Sequence, residues 1–448
     1  MRQPKIGSGS AAVPWVIARW RPIALAGSAM SFALWALVVL LHRPELWSMV
    51  DLQTYRSAVG SLRHGQSAIY TRDFGPWPGP FIYPPFAAVL LKPLPMISLH
   101  TAKFAVTLMS FAALGAAVWC VWGQLGVNDR RDRVAATAAV AAGSLWLEPV
   151  SKTFSYGQVS LVLMAMCLVD LAKPTRRGSG LLIGLAAGIK LTPLVFAVYL
   201  LATRRYRAAA NAIGCFVGTV LAGWVLLPRA TPQYWLHAIA VGPQINKHVS
   251  MANGLNQSIR GALLRLLGTG HLADALWLGL SAVVGLVGLA AAVRAYRGGR
   301  DFVGVLLCAA VSLLVSPISW THHWVWIVPA AMALGMAAWR RRSGRLAVVT
   351  IGYLLSAAVL PLRVTTNGFW SHRAPLLPLG LPWLAPHGDK WDLRWNAADF
   401  LIGNSLLLVN LLLFTAVCVY LLRSDALPPA AVELEPGALP RQLNQVSV

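Results

Sequence analysis

Residues 23–41 read IALAGSAMSFALWALVVLL, a run without a charged side chain. An α-helix rises 1.5 Å per residue, so this run covers about 28 Å, close to the hydrocarbon thickness of a bilayer. The rest of the chain repeats the pattern. Of 448 residues, 57% are apolar and 12% charged, with mean hydropathy +0.61. A soluble domain carries about 25% charged residues, which excludes a soluble multidomain enzyme. The sequence predicts an all-α polytopic membrane protein with full spans near 23–41, 102–122, 133–150, 157–173, 207–227, 272–293, 302–318, 323–339, 346–362 and 400–422. That makes about 10 transmembrane helices. No small-residue cleavage site follows the first span, so it reads as a retained anchor.

One stretch breaks the pattern. Within 180–203, the run LLIGLAAGIKLTPLVFAVYLLA places Lys190 and Pro193 at its centre and arginines at both ends. A single crossing would put Arg176 and Arg177 opposite Arg204 and Arg205. A re-entrant hairpin keeps all four on one side.

The net charge of +23 could signal nucleic acid, so the positions of the basic residues matter. Clusters at Arg2–Arg21, Arg130–Arg133, Lys173–Arg177, Arg204–Arg207, Arg294–Arg300 and Arg340–Arg345, with Arg423 and Arg441, hold 22 of the 38 Lys and Arg. All fall on one side of the layout, in short loops or tails. This is the positive-inside pattern, which makes both termini cytoplasmic and removes the support for nucleic acid. The single domain is expected to cover 1–422, with 423–448 a disordered cytoplasmic tail. The other 16 basic residues lie outside, where a phosphate-bearing ligand would explain them.

The opposite face carries long segments, 42–101, 229–271 and 363–399, with corners at 148–157 and 319–323. Long ordered segments of this kind usually hold function. The five cysteines each sit in an apolar run and imply neither disulfide framework nor zinc site.

Candidate chemistry gathers at these corners. Asp51 follows the first span, and Leu52, Tyr55, Val59 and Leu62 share one helical face, predicting an interfacial helix over 52–63. Asp51 is then either the cap of that helix or a catalytic carboxylate, and the two roles are compatible. Tyr83 opens a proline-led segment, 84–97, too short to span and read as re-entrant or interfacial. Gln158 starts a span at its outer end, as an interfacial polar residue or a substrate contact. Asn256 and Gln257, followed by Arg260, present donors suited to sugar hydroxyls and phosphate, or else a helix cap with a solvated arginine. Lys190 at the hairpin tip suits phosphate, with snorkelling the alternative. His322 and His323 are adjacent and about 100° apart on a helix, a poor metal pair. A histidine donating to substrate or phosphate fits better. Asp389 and Asp392 leave a metal-dependent mechanism open, although their flanks lack further oxygen ligands. No metal and no cofactor is expected.

The ordered set of pieces resembles glycosyltransferase family 87, membrane-embedded transferases of GT-C type. They are Asp51-Leu-x-x-Tyr55-Arg56, Tyr83-Pro84-Pro85-Phe86, Gly157-Gln158, Gly188-Ile-Lys190-Leu-Thr-Pro193, Asn256-Gln257-Ser258-Ile-Arg260-Gly261 and Ser316-Pro317-Ile-Ser-Trp320-x-His322-His323. They span about two-thirds of the chain, and within the family they are most similar to mycobacterial α-1,2-mannosyltransferases. The resemblance implies an extracytoplasmic site in the plasma membrane. It implies a polyprenyl phosphomannose donor, a phosphatidylinositol mannoside or lipomannan acceptor, and Asp51 as catalytic base. Lys190, Arg260 and His322 would then meet the donor phosphate. Tyr55, Arg56, Tyr83, Gln158, Asn256, Gln257 and His323 would bind substrate. A lipid phosphate departs without a proton, so one carboxylate suffices where a glycosidase uses two.

Two other readings stay open on sequence. An arabinofuranosyltransferase using decaprenylphosphoryl arabinose belongs to the same superfamily. A lipid or sugar transporter would share the broken helices and the intramembrane lysine, but should show pseudo-symmetric halves, whereas the polar residues here gather at one face.

Overall fold

The computed structural model describes residues 12–42, 46–76, 79, 81–172, 176–238, 251–362, 377–387 and 391–423. The expected tail beyond Arg423 and Asp389 lie outside them. The chain is mostly helical. Helix α1 (Ala12–Leu41) leads into a short α2 (Val50–Gly60) and α3 (Pro85–Leu91). Then come α4 (Leu99–Gln124), α5 (Arg130–Ser144), α6 (Glu148–Tyr156) and α7 (Ser160–Leu171). Helices α8 (Leu181–Ile189), α9 (Leu194–Ala202) and α10 (Tyr206–Leu226) follow. The second half holds α11 (Ile259–Leu267), α12 (His271–Arg297), α13 (Asp301–Val315), α14 (Ile327–Arg340) and α15 (Gly344–Ser356). It closes with α16 (Ala397–Gly403) and α17 (Ser405–Arg423).

Among the described residues, five helices are long and apolar enough to cross a membrane: Arg21–Leu41 within α1, then α4, α10, α12 and α17. A sixth is obtained if α6 and α7, bent by 117° at their junction, count as one. The remaining expected spans fall on shorter helices. Helices α5, α13, α14 and α15 have 13 to 15 residues, which at 1.5 Å per residue reach only about 20 Å. Trp- and Pro-bearing corners, such as those after Ser144 and Val315 and before Ile327, bound them. The fold also departs from all-α in one place, where β1 (Leu360–Leu362) pairs antiparallel with β2 (Leu377–Leu379). The alternating Leu-Pro-Leu of both strands had read as the end of a span and a loop.

The basic clusters meet at one end of the bundle. Arg21 bonds Asp129 and Asp132 at the start of α5, and Arg340 reaches the Leu125 carbonyl just after α4. Tyr420 near the end of α17 touches Arg300 and Arg341. Arg205 forms a forked pair with Asp301, and Arg207 bonds the Arg176 carbonyl.

The opposite end holds the candidate residues. There the chain reverses at Lys190–Pro193, because α8 runs parallel to α10: a Cβ on Gly180 would meet Ala208, on Gly184 Ala212, and on Gly188 Thr219. Glycine at these positions lets the two backbones approach closely. Helix α9 must then return antiparallel, which leaves Lys190 at the turn.

Candidate active site

Asp51 lies in the first turn of α2, where a carboxylate is favoured by the helix dipole. It is not the cap. That position belongs to Met49, which adopts a left-handed conformation (φ 51°) with no side-chain cap bond. Its backbone N–H donates to Ser155 O at 2.8 Å, tying the start of α2 to α6. Gly157 ends α6 with φ 69°, and a Cβ there would lie 2.8 Å from Leu52 Cβ, so glycine permits the close approach. Leu52, Tyr55 and Val59 are buried as their spacing requires, but against protein, so α2 is an embedded helix of the site.

The next residue, Gln158, joins three elements. Its Nε2 donates to Asp51 Oδ2 at 2.7 Å, and its Oε1 accepts from the Tyr83 hydroxyl at 3.0 Å. The Tyr83 and Tyr55 hydroxyls are 2.9 Å apart, and the Tyr70 hydroxyl donates to Tyr83 O at 3.0 Å. An aromatic floor of Tyr55, Phe81 and Tyr83 therefore lies beside the carboxylate. Burial pushes the Asp51 carboxyl up to about 6, against the opposing pull of Gln158 and Lys190.

Lys190 faces this group from the hairpin turn. Its Nζ is 2.7 Å from His323 Nε2 and 5.5 Å from the centre of the Tyr83 ring. An ammonium only donates, so Nε2 accepts and the ring proton sits on Nδ1, toward the Ile318 carbonyl. Burial draws the Lys190 ammonium down to about 7, and Asp51 partly restores it. His323 thus orients Lys190. The two line a cavity of about 40 Å³, together with Ser160, Thr192, Leu163, Phe196 and Trp326. His322 stands beside His323, ring centres 4.6 Å apart, and 5.5 Å from the Tyr156 ring.

The structure thus brings together Asp51, Tyr55, Tyr83, Gln158, Lys190, His322 and His323. Five other candidates are engaged elsewhere. Asn256 bonds the Met251 and Pro317 carbonyls and the Ser319 N–H. Gln257 bonds the Gly254 and Gly403 carbonyls and the Leu407 N–H. Both are fully buried, so their amides hold the corner between α11, α13 and α17 and have no donor left for a sugar. Arg260 forms a fork with Asp274 at 2.8 and 3.0 Å and stacks on Trp277. Asp274 falls one helix later, too far along the sequence to be paired by spacing. Arg56 donates to the Leu94 and Ile97 carbonyls, bracing α2 against the segment after α3. Asp392 accepts from Gly254 N–H and faces His387.

Sequence reasoning missed Lys152. It is buried on α6, with Nζ over the Trp383 ring at 4.5 Å and the Tyr156 ring at 5.4 Å. Its available signal was Glu148, four residues earlier in the same corner.

A carboxylate near neutral titration, opposed by a lysine held on a histidine, suits attack of a hydroxyl with loss of an anionic leaving group. Within apolar helices, such an arrangement suits group transfer at a membrane. The chain belongs to glycosyltransferase family 87, whose description residues 81–317 match, and it is accordingly a glycosyltransferase. It is 32% identical over 396 residues, 83% of this chain and 90% of the relative, to a polyprenol-phosphate-mannose-dependent α-(1-2)-phosphatidylinositol mannoside mannosyltransferase of Mycobacterium tuberculosis. It is 32% identical over 406 residues, 86% of this chain and 89% of the relative, to the corresponding pentamannoside enzyme of Mycolicibacterium smegmatis. A second pentamannoside enzyme, from Mycobacterium tuberculosis, is 35% identical over 372 residues, 80% of each chain. No solved structure matches the chain.

Proposed function

We propose that this protein transfers mannose from polyprenyl phosphomannose to a phosphatidylinositol mannoside acceptor, forming an α-1,2 linkage with inversion. The observation that carries this reading is the opposition of Asp51, held by Gln158, to Lys190, held by His323. Asp51 takes the proton of the acceptor hydroxyl as that oxygen attacks the anomeric carbon. The bond from that carbon to the phosphate oxygen breaks, and the electron pair leaves on the lipid phosphate. Lys190 meets the phosphate, and Tyr55 and Tyr83 form a face on which a sugar ring stacks.

The site faces the extracytoplasmic side of the plasma membrane, with the basic end of the bundle in the cytoplasm. On this topology the short helices complete a layout of about 10 crossings, and the segment around Lys190 is re-entrant. Contacts among Arg21, Arg205, Arg300 and Arg340 and their partners at one end support it.

Purified protein is given polyprenyl phosphomannose and a panel of mannoside acceptors, and products are read by mass spectrometry and linkage analysis. An α-1,2-mannosylated product supports the proposal. Transfer only from decaprenylphosphoryl arabinose, or from neither donor, overturns it.

A further inference from the structure

Beside the reaction centre lies a second cationic group with no role in the step just described. Lys152 is 6% exposed, and its ammonium lies against two rings, that of Trp383 at 4.5 Å and that of Tyr156 at 5.4 Å. Burial draws the Lys152 ammonium down, and Glu148, one turn earlier, opposes that shift. The oxygens of Glu148 are taken by Trp383 Nε1 at 2.7 Å and by the Thr321 side chain. The Tyr156 ring is shared, with Lys152 on it at 5.4 Å and His322 at 5.5 Å. His322 is 4% exposed, and neither ring nitrogen has a hydrogen-bond partner. Buried polar groups are nearly always paired, so a histidine with two orphaned nitrogens that shares a tyrosine ring with a buried lysine points to a ligand that offers acceptors. From His322 the row continues through His323 to Lys190.

The proposed reaction needs such a group. The donor is a phosphodiester with one negative charge, whereas the departing lipid phosphate is a monoester carrying close to two at neutral pH. The extra charge appears on the oxygen that leaves the anomeric carbon, as the acceptor proton passes to Asp51. Lys190 meets the charge already present, and the charge that develops requires a further cation.

We infer that Lys152 and His322 form a product-phosphate subsite that binds the monoester dianion in preference to the donor diester. This rests on the function proposed above. Glu148 favours the charged form of Lys152, and His322 donates to the phosphate oxygen freed by transfer.

The test uses the full chain in proteoliposomes, with polyprenyl phosphomannose as donor and polyprenyl phosphate as competing product. Lys152→Met is expected to raise the product Ki by about tenfold or more, the worth of a charged hydrogen bond. The donor KM should move by less than about twofold, and Lys152→Arg should restore most of the product affinity. A purely structural role moves both constants together or lowers the yield of folded protein. Equal shifts in Ki and KM, or no shift in either, overturn the subsite. If Lys152→Met does not fold, His322→Gln carries the same comparison. A wild-type protein that transfers no mannose overturns the proposed function instead, so the two failures are distinct.

Discussion

Gln158 Nε2 donates to Asp51 Oδ2 at 2.7 Å, joining residues 107 positions apart in sequence. The same side chain accepts from Tyr83, so one amide fixes both the proposed base and the proposed wall of the sugar site. An amide offers a donor on one side and an acceptor on the other. No other side chain of that length would serve both partners while Asp51 is ionised.

Replacing Asp51 by Asn removes the base and keeps the shape. Transfer should fall by about 10²-fold or more, while yield and thermal unfolding in detergent stay at wild-type levels. Gln158→Leu keeps the carboxylate but frees its orientation, and should lower kcat by about 10-fold. If Asp51→Asn turned over at a near-normal rate, the base would have to be sought elsewhere.

The pH profile follows from two buried groups. Asp51 is active when ionised and titrates at about 6, so kcat/KM should fall as pH drops through that value. Lys190 is active when protonated and titrates at about 7, so kcat/KM should also fall above it. Bound phosphate favours the charged ammonium, which moves the alkaline limb of kcat upward relative to that of kcat/KM. Lys190→Arg should remove the alkaline limb and leave the acid limb in place. An acid limb unchanged in residual Asp51→Asn activity would contradict the assignment.

Arg260 and Asp274 should behave as a structural pair. Arg260→Met leaves a carboxylate that is 45% exposed and can hydrate, at a cost of about 1 kcal/mol. Asp274→Ala leaves a buried guanidinium without its partner, at about 3 kcal/mol. Thermal unfolding should therefore rank Asp274→Ala as the worse variant, with donor KM unchanged in both. A large rise in donor KM for Arg260→Met would return Arg260 to the phosphate site.

Gly184 is where α8 meets α10, and an added Cβ would lie 2.3 Å from the Ala212 carbonyl oxygen. Backbone cannot yield as a side chain can, so Gly184→Ala should cost about 1–3 kcal/mol. It should also lower activity, because α8 carries Lys190. Gly214→Ala on α10 has nothing within 4 Å and should be neutral in the same unfolding assay.

The sequence by itself determined the solvent, the helical class and the segregation of charge. Each is written in local composition: 23–41 is apolar over its whole length, and the arginines recur at the ends of such runs. It also marked Asp51, Tyr83, Gln158, Lys190 and His323, because a polar residue at a corner of an apolar chain stands out against its neighbours. Only the tertiary structure decided which polar residues face one another. Asn256, Gln257 and Arg260 carry the same kinds of group as Gln158 and Lys190, yet their partners are carbonyls and a carboxylate supplied by other segments. Lys152 is the converse case, an inconspicuous corner lysine that packing places against Tyr156 and Trp383. A hydrogen-bonding group is identical in sequence whether its partner is protein or ligand. The difference is made by contacts between residues as far apart as 257 and 403, which no local pattern records.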